Sequence, residues 1–153
     1  MNNNDILRRI RYTFDFSDRK LQDIFLLADS AVSREQITAW LKKEEDDGYI
    51  NCTDEHFAAF LNGLINDKRG KLETTKIEPE VRLTNNKIIM KLKIALNLKA
   101  EDVIEIMELS GFKISKHELS AFFRKETHKN YRVCNDQILR NFLNGMQLKY
   151  RGL

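Results

Sequence analysis

The chain has 153 residues, with 26 basic and 23 acidic side chains, a formal net charge of +3, 42% hydrophobic and 32% charged residues. That is the profile of an ordinary soluble protein with room for one compact domain or two small ones. No apolar run reaches the roughly 18 residues of a membrane span, the start Met1-Asn2-Asn3-Asn4-Asp5 lacks the basic and apolar segments of an export signal, and two cysteines are too few for a disulfide framework. A cytoplasmic protein with no membrane contact is therefore expected.

Residues 3–70 lie over residues 85–152 at a constant offset of 82 without a gap. Asn62-Gly63 recurs as Asn144-Gly145, each pair preceded by Phe-Leu, while Tyr49 and Cys52 recur as Tyr131 and Cys134. A copy of about 70 residues is close to the lower limit for a self-sufficient core. The expected fold is therefore all-α: two tandem homologous four-helix domains, residues 1–70 and 83–153, joined by a linker over 71–82 and packed into one compact unit.

The first helix follows the N-capping Asn residues and carries Ile6, Leu7, Ile10 and Phe14 on one face, matched by Ile88, Ile89, Leu92 and Leu96. Ser17 and Asp18 cap a second helix bearing Leu21, Ile24, Phe25 and Ala28, matched by Val103, Ile106, Met107 and Ser110. Ser33 with Gln36, and Ser115 with Glu118, read as capping boxes before Ile37, Trp40 and Leu41 and before Leu119, Phe122 and Phe123. Thr53 or Asp54 opens the fourth helix, with Phe57, Phe60, Leu61 and Leu64; Asn135 or Asp136 opens its partner, with Ile138, Leu139, Phe142 and Met146. Gly63 and Gly145 interrupt these last helices at a cost of about 1 kcal/mol each relative to alanine, which predicts a close helix–helix approach or a bend. Gly70 and Gly152 suit the C-terminal ends. Residues 77–83, around Pro79, fit a linker better than a strand.

The segments Asn-Asn-Asp-Ile-Leu-Arg-Arg-Ile-Arg-Tyr (residues 3–12), Ser33-Arg34-Glu35-Gln36, Trp40-Leu41-Lys42-Lys43-Glu44, Cys52-Thr53-Asp54-Glu55 and Phe60-Leu61-Asn62-Gly63-Leu64 together resemble the YehS-like bacterial family, domain of unknown function 1456. The resemblance covers essentially the whole chain. It implies a small, helical, cytoplasmic protein of two related domains, and it carries no catalytic residue, cofactor or ligand set. The second copy departs from the first at polar positions: Lys87 stands for Asp5, Phe122 for Trp40 and Gln137 for Glu55.

Charge divides unevenly. Residues 1–70 hold 10 basic and 13 acidic side chains, whereas residues 83–153 hold 13 basic and 7 acidic. Only the second copy has a field that attracts a polyanion. Its second and third helices admit a helix-turn-helix-like reading, in which Lys116, His117 and Ser120 face base edges and Lys113 and Lys125 touch phosphates. Arg124, Lys129 and Arg132 extend that basic region, whereas Glu44-Glu45-Asp46-Asp47 makes the first copy's equivalent acidic. Arg8, Arg9 and Arg11, answered by Lys91 and Lys93, form either a second footprint or a solvated helix face. Tyr49 and Tyr131 keep their hydroxyls in the loop before the fourth helix, as loop closures or recognition residues.

Catalytic chemistry is thin. Cys52 and His56 stand four apart, but Cys134 meets Ile138 at that spacing, and no third ligand or orienting group accompanies them. No phosphate-binding glycine loop, dinucleotide fingerprint or calcium loop is present. The expected function is a noncatalytic helical binding or adaptor protein, with regulatory duties conceivable, that uses no cofactor or metal and meets a protein partner. The alternative is a DNA- or RNA-binding protein using the basic second repeat.

Overall fold

The structure is a computed structural model and describes residues 1–70 and 79–153; most of the expected linker, residues 71–78, lies outside them. The described residues form eight helices: α1 (Asn3–Phe14), α2 (Asp18–Leu27), α3 (Arg34–Leu41), α4 (Asp54–Arg69), α5 (Asn85–Ala95), α6 (Ala100–Leu109), α7 (Lys116–Phe122) and α8 (Asp136–Tyr150). Two compact units contain them, Met1–Leu83 and Thr84–Leu153. Each helix of the second unit starts 82 residues after its counterpart. Left-handed backbone recurs at the same offset, at Asp15 and Asn97, Asp29 and Gly111, and Gly70 and Gly152.

Local chemistry sets these boundaries. Ser17, Ser33, Thr53, Ser115 and Asn135 each accept from a backbone N–H in the first turn of the helix they precede. Ser33–Gln36 and Ser115–Glu118 form the reciprocal bonds of capping boxes. Asn2 caps α1 and Thr84 caps α5.

In the first unit α2 packs on α4 and α3, and α1 on α3 and α4; in the second α6 packs on α8 and α7, and α5 on α8. Phe25, Phe57 and Phe60 in one core and Leu119, Leu139 and Phe142 in the other have no exposed surface. Gly63 and Gly145 sit where the central pair crosses. A Cβ added to Gly63 would lie 1.9 Å from the carbonyl oxygen of Ile24, and one on Gly145 1.9 Å from that of Ile106. Close approach, rather than a bend, requires both glycines.

Several expected core positions shift, Ala28, Ser110 and Ile138 being half-buried. Phe14 and Leu96 are half-buried, and Thr13 and Ala95 point inward instead. Phe14 stacks on Phe16 at 5.5 Å, with Lys68 Nζ 5.3 Å from its ring centre. Leu41 and Phe123 are likewise half-buried, because α3 and α7 end there and the following loops cover them only in part.

Candidate functional site

One device holds both units and consumes much of their buried polarity. Asn4, in the first turn of α1, is fully buried. Its amide donates to the carbonyls of Trp40 (3.0 Å) and Ile50 (2.9 Å), and its oxygen accepts from the Cys52 N–H (2.9 Å). Asn86 repeats the set on Phe122, Arg132 and Cys134 at 3.0, 2.8 and 2.9 Å. Asn3 and Asn85 add donations to the carbonyls of Cys52 and Cys134 and to the carboxylates of Asp54 and Asp136. A buried amide with its hydrogen bonds made fixes a unique loop path. These asparagines thus pin the end of the third helix and the segment leading to the fourth against the first. The recurrence of Asn4 as Asn86 at an offset of 82, two positions after the cap rather than at it, was the available sequence signal.

The same loop carries the cysteines. Both are 1% exposed. Burial, with a smaller contribution from Asp54 or Asp136, pushes each thiol up to about 12. A thiol so held is protonated at neutral pH and is a poor nucleophile. His56 directs Nδ1 at Thr53 Oγ1 (3.0 Å) and packs its ring 4.9 Å from Trp40. Among the described residues no three His, Cys, Asp or Glu side chains converge in a way that could hold a metal ion.

The basic residues of α1 are drawn into the fold. Arg8 donates to the Lys42 carbonyl at 2.8 Å and pairs with Asp5. Arg11 donates to the Phe16 carbonyl at 3.1 Å and pairs with Asp18 at 3.4 Å. Arg9 is half-buried with interactions of its own. In α5 its counterpart Lys91 is buried, and Lys93 lies over the Phe123 ring. A free cationic footprint on the first helices is not what these contacts describe.

Around α7 the predicted residues separate into two groups. Lys116 Nζ donates to Glu101 at 2.8 Å, which raises its own pKa and lowers that of the carboxylate. The Ser120 hydroxyl turns back to the His117 carbonyl at 2.8 Å. His117 is exposed. Arg124 donates to the Asn130 carbonyl at 3.3 Å, bracing the loop after α7. Lys113, Lys125, Lys129 and Arg132 are exposed, and their side chains make no hydrogen bond or ion pair among the described residues. α7 has seven residues, and six separate it from α6, longer than the three or four of a compact helix-turn-helix turn.

The loop after the third helix is built alike in both units. Asp46 N–H donates to Lys43 O, Tyr49 N–H to Asp46 O and Ile50 N–H to Ala39 O; His128, Tyr131 and Arg132 donate to Lys125, His128 and Ala121. Gly48, at φ 84°, is the local departure, with Asn130 in its place. On this frame the first unit sets Glu44, Glu45, Asp46 and Asp47, and the second Glu126, Thr127, His128 and Lys129. Ile50 becomes Arg132. The tyrosines differ as well. Tyr49 accepts a hydrogen bond from Asn2 at 3.3 Å, whereas residue 84 is threonine and the Tyr131 hydroxyl has no partner among the described residues. Burial, and then the nearby Glu126, raise the Tyr131 hydroxyl, so it stays protonated at neutral pH.

On the first unit, the α2–α3 junction forms an open groove of about 510 Å³ with Leu26, Ala31 and Val32 between Arg19 and Arg34. Leu26 is 58% exposed there. No described helix is long and apolar enough to cross a membrane.

Residues 3–70 and 85–152 each match the family described as protein of unknown function (DUF1456). The chain is 43% identical over 147 residues to an uncharacterized protein YehS of Escherichia coli (strain K12), covering 95% of this chain and 94% of that protein. No solved structure matches it.

Proposed function

The chain belongs to the DUF1456 family, and from that premise we propose that it is a noncatalytic binding protein, an adaptor whose two homologous units have diverged to meet different partners. One observation carries this reading. The loops after α3 and α7 share their backbone hydrogen bonds and their asparagine anchor, yet one presents four consecutive carboxylates and the other a cationic surface. Where the frame is kept and the charge reversed, the difference acts on partners rather than on folding. The groove beside Leu26 supplies the first unit with an apolar contact of its own. The cysteines support no competing chemistry, since their thiols are buried and protonated.

The experiment is crosslinking capture from cells with the full-length chain, Leu26→Glu, and the triple variant Lys125→Glu/Lys129→Glu/Arg132→Glu. The adaptor reading expects each variant to lose a different partner and keep the other. Identical recoveries from all three forms, or substrate turnover abolished by Cys52→Ser, would contradict it.

A further inference from the structure

We propose that the loop following α7, residues 124–132, binds single-stranded nucleic acid, Lys125, Lys129 and Arg132 meeting phosphates and the Tyr131 ring stacking on a base. The inference deepens the adaptor reading and rests on it, because it names the partner class of the second unit.

Three features favour a single strand over other polyanions. First, the cations are exposed and make no hydrogen bond or close ion pair, Arg132 lying only within electrostatic reach of Glu118, in contrast to Arg8, Arg11 and Lys116, whose polar atoms are bonded internally. Second, an aromatic ring lies among them. Tyr131 is half-exposed, sits between Lys129 and Arg132, and lacks the tether that holds Tyr49 to Asn2. A cationic surface that tracks a backbone, with an aromatic ring on which a base stacks, is how proteins hold single strands without reading their sequence. A base offers such a ring a flat face that carboxylates alone do not. Third, the elements needed to read a duplex are spent. α7 is short, Ser120 bonds its own helix, Lys116 is paired, and Glu118 is held ionised by its bonds to Ser115. Duplex readers place such side chains at base edges in the major groove. Internal hydrogen bonds hold the loop in shape. Arg124 braces Asn130, Asn130 N–H donates to His128 Nδ1, and Asn86 holds the Arg132 carbonyl. Glu126 is its single carboxylate.

The test is fluorescence anisotropy of a labelled 15-nucleotide oligothymidylate with the full-length protein across a salt series. Binding should weaken linearly in log–log form as salt rises, and Lys125→Gln/Lys129→Gln/Arg132→Gln should flatten that slope by about 2, since each lost phosphate contact removes about 0.7. Tyr131→Leu should weaken binding roughly 5- to 150-fold, the range for losing one stacked base, while Tyr131→Phe keeps it. Circular dichroism confirms that the variants remain folded. Absence of binding to the oligonucleotide overturns the inference. So does binding that Tyr131→Leu leaves unchanged and that polyglutamate displaces as readily as unlabelled oligonucleotide. If no strand binds but a protein captured from cells is lost with the triple charge variant, the inference fails and the adaptor reading stands. If neither is found, both fail.

Discussion

Gly145→Ala adds a single methyl group to the second core, and the structure dictates where it goes. The new Cβ would lie 1.9 Å from the Ile106 carbonyl oxygen, 2.7 Å from its carbonyl carbon and 2.8 Å from its Cγ2. Ordinary contact begins near 3.4 Å, so the α6 backbone must retreat by about 1.5 Å, the difference between that limit and 1.9 Å. Backbone cannot rotate away as a flexible side chain can. The retreat disturbs the seat of Val103, Ile106 and Met107, all without exposed surface, on the helix that packs against α8. Overpacking typically costs about 1–3 kcal/mol, and a displaced backbone belongs at the upper end. Alanine returns about 1 kcal/mol of helix propensity. The net loss is about 2 kcal/mol, a fall in Tm of about 8 °C or more for a unit of this size. Urea and thermal unfolding followed by far-ultraviolet circular dichroism measure it directly. Gly63→Ala, facing Ile24 at 1.9 Å, should behave alike. A variant as stable as the parent, or stabilised by its better helix former, would show that the helices do not cross as closely as described.

Further outcomes follow from the anchors and the thiols. Asn86→Ala leaves two carbonyls and one N–H without their partner, the Phe122 carbonyl and the Cys134 N–H in buried bonds; at about 1–3 kcal/mol for each orphaned buried group, urea melts should show a loss of at least about 2 kcal/mol, and a loss below about 1 kcal/mol would contradict the anchor. At pH 8 the native thiols should react with a disulfide reagent about a thousandfold more slowly than an unfolded cysteine, from the rise of 9.0 to about 12 alone; rapid labelling of native protein would refute their burial. Because both thiols are raised in the folded state, their contribution to stability is complete below the unfolded value of 9.0 and disappears as pH climbs toward 12; Cys52→Ala/Cys134→Ala should flatten the alkaline decline in Tm. Lys116→Ala removes only an exposed ion pair and should leave Tm nearly unchanged.

Much of the scaffold was legible in the sequence because its signals are local and doubled. Ser33–Gln36 and Ser115–Glu118 announce two helix starts without tertiary information, and Gly63 with Gly145 marks a cost that a close approach or a bend would justify. What stayed hidden depends on contacts distant in sequence. Asn4 read as one of the N-capping asparagines and Asn86 drew no reading, because their partners lie 36 to 48 positions away. The arginines of α1 read as a cationic face because composition does not reveal that Lys42 and Phe16 offer them carbonyls. Phe14 and Leu96 fit the apolar period, but left-handed Asp15 and Asn97 close the turn just beyond them. The loop after α7 was legible in its charge. The loss of the Tyr131 tether was not, since it depends on Thr84 replacing Asn2 against a ring far along the chain.

The two loops share one frame and differ in what they attract, and a transplant tests both halves of that statement. Replacing residues 124–132 with the sequence of residues 42–50 in the full-length chain should leave the circular dichroism spectrum and Tm close to those of the parent while abolishing salt-sensitive binding of oligothymidylate. A chain that unfolds on receiving the acidic loop, or one that binds the strand undiminished, would contradict it.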